Sequence, residues 1–146
     1  MAVRVQEEAF DMGAELAGFA QGRRDTGAVV TFSGLVRDDT GDLRHLEIEH
    51  YPGMTTSAIE AIVAEAVERW SLADALVIHR HGRLAPGEPI MMVATAASHR
   101  ADAFAAAEFL MDYLKSRAPF WKKEVTASGE SWVEAKDSDE DALNRW

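Results

Sequence analysis

Between residues 59 and 70 the chain carries a pattern that leaves it little conformational freedom. Ile59, Ile62, Val63, Ala66, Val67 and Trp70 fall at i, i+3, i+4, i+7, i+8 and i+11, the spacing that lines one face of an α-helix. Such a stripe is stable only when another layer covers it. The neighbouring segments can supply that layer. GAVVTFSGLVR (27–37) is β-branched and bounded by glycine, LRHLEIEHY (43–51) alternates, and ADALVIHRHGRL and EPIMMVATAAS flank an APGEP turn. All four read as strands. Ser57 with Glu60 offers a capping box for the helix, with Thr55 and Thr56 as alternative starts.

A second helix is expected over ADAFAAAEFLMDYLKSR, with Phe104, Ala107, Met111 and Leu114 as its stripe, Ser98 as its N-cap and Pro119 as its stop. AVRVQ (2–6) reads as a short strand, and Asp11 as the cap of a short helix reaching about Ala20. FWKKEVTASGESWVEA reads as a hairpin and KDSDEDALNRW as a short polar helix or tail. Helices and strands alternate without a Gly-rich phosphate loop, and several connections are hairpin-length. The expected fold is therefore α+β: a single domain over 1–146, mainly antiparallel sheet with two long amphipathic helices.

At 146 residues and 47% hydrophobic, the chain can bury a core without staples. It has no cysteine, which removes disulfides, thiolate metal sites and cysteine nucleophiles. No apolar run approaches a membrane span, and MAVRVQEEAF lacks the apolar core of an export signal. A cytoplasmic protein is expected. A net charge of −10 argues against nucleic acid and anionic membranes as partners. A small anionic ligand needs only a local basic pocket.

One such pocket is suggested by MDYLKSRAPFWKKE (111–124). The chain has four lysines, and Lys115, Lys122 and Lys123 stand in these fourteen residues with Arg117 between them. One reading is a solvated face, with Lys115 pairing Asp112 or Glu108 along the helix. The other is a partly dry cluster around Pro119, Phe120 and Trp121, where crowded cations lower a lysine's pKa and suit it to acid–base work. His99 and Arg100 begin the second helix, where cations oppose the dipole unless an anion binds there. Arg37 ends a strand before DDTGD, either pairing with Asp38, Asp39 or Asp42 or aiming a guanidinium at phosphate. His79 and His81 share one strand face in this reading, but no third metal ligand stands out among Glu47, Glu49 and His50. The tryptophans read as packing, with Trp121 a candidate pocket wall.

GAVVTFSGLVR, EHYPGM (49–54), SHRADAF (98–104), MDYLKSRAPFWKKE and WVEA (132–135) occur in an order that resembles the large, catalytic subunit of molybdopterin synthase, the MoaE family. The resemblance runs from about Gly27 to the C-terminus and is loose before it. It implies an α/β-hammerhead-like fold and a sulfurtransferase that needs no cofactor. The implied substrate is cyclic pyranopterin monophosphate (precursor Z), converted to the dithiolene of molybdopterin. The implied sulfur donor is the C-terminal Gly-Gly thiocarboxylate of a small ubiquitin-like subunit. A homodimer carrying two small subunits, a heterotetramer, is the implied assembly, with a pocket open to residues from both protomers. Lys115 and Lys122 match the catalytic lysines; Arg37, His99 and Arg100 match substrate-binding positions, with Leu35, Val36, Lys123, Glu124 and Lys136 adjoining. Lys123 should turn away from Lys122 along a strand. The chain departs from the family pattern at Leu35, where a lysine is expected, at Lys136, where an arginine is expected, and in a short loop after Arg37. The competing readings are a non-catalytic module that binds a ubiquitin-like tail or a phosphorylated metabolite, and a metalloenzyme built on His79 and His81.

Overall fold

Two four-stranded sheets form the framework. The computed structural model describes residues 1–134 and 136–146, so the last residue of the WVEA motif, Ala135, lies outside the described residues. In chain order the elements are β1 (Ala2–Gln6), α1 (Met12–Ala20), β2 (Ala28–Leu35), β3 (Leu43–His50), α2 (Met54–Trp70), β4 (Asp74–Arg80), β5 (Gly82–Leu84), β6 (Pro89–Ala97), α3 (Arg100–Arg117), β7 (Phe120–Thr126), β8 (Gly129–Trp132) and α4 (Asp137–Ala142), followed by a 3₁₀ turn over Leu143–Arg145. The first sheet has the order β1-β4-β6-β2 and the second β5-β3-β7-β8. Among the described residues only β1 and β4 run parallel, and the other pairings are antiparallel.

The first sheet is covered on both faces, which is why β4 and β6 are nearly continuous apolar runs rather than alternating ones. Ala75, Val77, Met91 and Val93 pack under Ile59, Ile62, Val63 and Ala66 of α2 and Ala103, Ala106, Phe109 and Leu110 of α3. On the other face Leu76, Ile78, Met92 and Ala94 meet Phe19 of α1. Asp11 caps α1 as expected, its carboxylate accepting from the Ala14 N–H at 2.9 Å. A third cluster, Val36, Leu46, Ile48 and Leu84 with Ile90 and Phe120 beside it, joins the two sheets.

Four local expectations are corrected. The helix α2 begins at Met54, a turn before the Ser57–Glu60 box, and has no side-chain cap; the Thr55 hydroxyl instead donates to the Tyr51 carbonyl at 2.8 Å. The N-cap of α3 is His99, not Ser98. The buried face of α3 is Ala103, Ala106, Ala107, Phe109, Leu110 and Leu114; Ala107 and Leu114 of the expected stripe belong to it and Met111 borders it, but Phe104 is 62% exposed. The small alanines let the helix lie close on β6, where the buried Thr95 hydroxyl donates to the Ala103 carbonyl at 2.7 Å. Finally, ADALVIHRHGRL is two strands in two sheets. The chain turns at Gly82, whose φ is +88° and where a Cβ would come within 2.9 Å of the Glu7 carboxylate.

Candidate functional site

Strand β7 carries the lysine-rich segment, and its register decides which side chains share a face. Phe120 lies opposite His50, Lys122 opposite Ile48 and Glu124 opposite Leu46; Trp121 lies opposite Glu49 and Lys123 opposite Glu47. Alternation puts Phe120, Lys122 and Glu124 on one face and Trp121 and Lys123 on the other. Lys123 is held there by Glu47 at 3.1 Å and Glu130 at 3.3 Å, above the Trp132 ring at 5.4 Å. Those carboxylates, Glu47 first, hold its pKa above the ordinary lysine value. Trp121 shares the face of Lys123. It borders an open hollow of about 330 Å³ with Glu49, His50, Tyr51 and Trp132, so it is not a wall for Lys122.

Lys122 faces the joint between the two sheets and is partly buried. Burial lowers its pKa, the charge of Lys115 lowers it further, and Asp139 of α4 opposes them. Lys115, near the end of α3, is exposed. Its expected helical partners are taken by another residue: Arg145 pairs with Glu108 at 2.6 Å and Asp112 at 2.8 Å. Neither Lys115 nor Lys122 forms an ion pair among the described residues. Pro119 ends α3 by forcing Ala118 into extended backbone, and this short turn brings the helix lysine beside the strand lysine.

Three histidines considered above only as metal ligands gather at this site in another arrangement. The His79 ring stacks on Phe120, centroids 3.7 Å apart and planes 15° apart, although the two residues belong to different sheets. His50 and His81 lie 4.3 Å apart beside them. Burial pushes the His79 pKa down to about 3, and Lys122 and both other histidines add to the shift. His50 is lowered as well, by burial and then by His81. His81 falls beyond the end of β4, so it does not share a strand face with His79. No group of three His, Asp or Glu side chains among the described residues is placed to hold a metal ion.

The remaining candidates are spread more widely. Val36 is buried between the sheets and thereby fixes the backbone next to Arg37. Arg37 itself is exposed and pairs with Asp39 at 3.2 Å, and Leu35 is 50% exposed. Lys136, the N-cap of α4, and Glu124 are exposed. His99 and Arg100 are exposed at the start of α3, which has no side-chain cap. Arg100 is fifteen residues before Lys115 on the same helix, about 22 Å along its axis. Within one chain, then, the lysine pair and the His99–Arg100 pair occupy opposite ends of α3.

The model of the MoaE protein family matches residues 5–117. The chain belongs to the MoaE family. It is 70% identical over 146 residues to the molybdopterin synthase catalytic subunit of Cereibacter sphaeroides, covering all of both chains. Among solved structures, the molybdopterin biosynthesis MoaE protein of Burkholderia ambifaria superposes with a TM-score of 0.85 at 52% identity, over 100% of this chain and 98% of that one. Molybdopterin synthase from Staphylococcus aureus superposes with a TM-score of 0.82 at 30% identity, over 90% and 96% of the two chains. These MoaE relatives place the chain among catalytic subunits of molybdopterin synthase, in the biosynthesis of the molybdenum cofactor.

Proposed function

We propose that this subunit transfers sulfur from the thiocarboxylated Gly-Gly tail of a small ubiquitin-like partner to cyclic pyranopterin monophosphate, forming the dithiolene of molybdopterin. The observation that carries the reading is the pairing of an exposed Lys115 with a partly buried Lys122, neither of them in an ion pair among the described residues. A thiocarboxylate and a cyclic phosphate both bring negative charge, and fixed cations stabilise such charge without reorganising during the reaction. Lys115, the more exposed, is assigned to the tail's carbonyl. Lys122, the drier, is assigned to proton transfer at the pterin side chain, because a depressed pKa keeps more neutral amine available near pH 7. Each transfer leaves the tail as an ordinary carboxylate, with water supplying the oxygen that replaces sulfur.

Arg37, His99 and Arg100 are assigned to the phosphate and pterin. Because α3 separates the last two from Lys115, the reading requires a homodimer in which one protomer's helix start completes its partner's site. A small subunit at each end makes the heterotetramer. Leu35, Val36, Lys123, Glu124 and Lys136 are peripheral in this scheme, Lys123 because it is already neutralised by Glu47 and Glu130.

The test mixes purified protein with thiocarboxylated partner and precursor and measures dithiolene formed. Lys115→Ala should lower turnover by about 10²–10⁴-fold while leaving a folded dimer. Turnover at the wild-type rate in that variant would remove Lys115 from the reaction, and tail binding with no product from the wild type would favour a non-catalytic binding module.

A further inference from the structure

The sulfur-transfer reading leaves the most buried titratable group near the lysines without a role. His79 is 6% exposed. Its Nδ1 lies 2.8 Å from the Arg80 carbonyl, an acceptor only, so Nδ1 carries the hydrogen and donates it. That bond fixes both the tautomer and the plane of the ring. The ring lies flat on Phe120, and Phe120 precedes Lys122 by two residues on the same strand face. Arg80 is itself immobilised, its guanidinium donating to the Glu7 carbonyl at 2.7 and 2.9 Å and pairing with Glu88 at 3.1 Å. A chain of fixed contacts therefore runs from Glu7 and Glu88 through Arg80 and His79 to Phe120.

We propose that His79 is a positioning residue for Lys122: held by the Arg80 carbonyl and stacked on Phe120, its uncharged ring is the dry wall against which the Lys122 amine is presented. The inference rests on the sulfur-transfer reading only for the use made of Lys122, not for the wall itself. An uncharged wall suits the place better than a cationic one. Lys122 feels the charges of Lys115 from α3 and Asp139 from α4 and in turn acts on His79 from β4, while His50, its ring 6.1 Å from that of Phe120, and His81 act on His79 as well. Two cations and one anion are already present, and a protonated ring at position 79 would add a third cation to a pocket meant to receive anions. Burial keeps the ring neutral through the physiological range. The wall in turn limits the water that reaches Lys122, and limited hydration is the first cause of that amine's lowered pKa.

The experiment needs no substrate. Lys122 is acetylated with a small anhydride across a pH series in the intact protein, its extent read by mass spectrometry against Lys136, and protein folding is checked by circular dichroism. In His79→Gln, which admits water beside Phe120, the acetylation midpoint of Lys122 should move up in pH and its labelling near pH 8 should fall severalfold. In His79→Phe, which keeps a flat apolar ring on Phe120, both should stay at the wild-type values. An unchanged Lys122 in folded His79→Gln, or an equal shift in His79→Phe, would overturn the proposal. Ring ¹⁵N shifts of the wild-type protein make the test independent of either variant's folding. His79 should remain the neutral Nδ1–H tautomer from pH 5 to 9, and a ring that titrates in that window refutes the wall. Failure of the wild type to make dithiolene, with these results intact, would sink the sulfur-transfer reading and leave the role of His79 standing.

Discussion

At Lys122 two effects push the same way, since burial and the Lys115 charge both disfavour the ammonium form, and Asp139 pushes back. The single-residue predictions follow from those signs. Lys115→Met removes a neighbouring cation and should raise the Lys122 midpoint; Asp139→Asn removes the opposing anion and should lower it. Side-chain ¹⁵N NMR of labelled lysine reads both, and shifts in the same direction would contradict the arrangement. His79 has its own consequence for stability. Its folded pKa is depressed from 6.5 to about 3 by burial, so between those values the unfolded chain binds a proton that the native state refuses. Stability should therefore fall as pH drops below 6.5, by about 1.4 kcal/mol per unit from this group alone, and be indifferent to it above 6.5. Urea unfolding at pH 6.5 and 5 should show His79→Phe losing about 2 kcal/mol less than wild type over that interval.

At the scale of elements, the start of β2 and the end of β6 meet so closely that only glycine fits. A Cβ on Gly27 would lie 2.2 Å from the Ser98 carbonyl oxygen, and the Gly27 N–H donates to the Ala97 carbonyl at 3.0 Å. Gly27→Ala must displace backbone rather than a flexible side chain. It should cost about 1–3 kcal/mol, seen as a lower midpoint in thermal unfolding, and a variant as stable as wild type would show that the strand ends can part freely. Ser98 leads directly into His99 and Arg100, so the same contact fixes where α3 starts. How much of this was legible beforehand depends on the type of signal. The stripe of α2, the Asp11 cap and the stop at Pro119 are local patterns, and each appears where the sequence puts it. In the α3 stripe Ala107, Met111 and Leu114 turn to the core as their spacing predicts, whereas Phe104 looks like core and is exposed, and Ala103 and Ala106, which look neutral, carry the packing. The break at Gly82 falls in the polar stretch HRHGRL (79–84), where periodicity gives no warning of a change of sheet. The His79–Phe120 stack joins residues on strands of different sheets, and no spacing rule reaches that far.

For the whole molecule, the decisive distance is the length of α3. Lys115 and Lys122 meet at its end, while His99 and Arg100 stand at its beginning, and the helix is too stiff to fold back on itself. If all four groups serve one pair of anionic reactants, the second pair must come from another copy of the chain, and a two-fold dimer supplies two such sites by symmetry. That arrangement has a signature no self-contained site can imitate. Lys115→Ala and Arg100→Ala should each be nearly inactive as homodimers. Dissociated and reassociated together in equal amounts, they form mixed dimers for about half of the population, and each mixed dimer has one site with both defects and one with neither. Activity should therefore return to about a quarter of the wild-type value. Were Lys115 and Arg100 of the same chain to serve the same site, every site in the mixture would keep one defect, and mixing would restore nothing. The recovered fraction thus tests the geometry directly, because it depends on which chain contributes each residue and not on how strongly either residue acts.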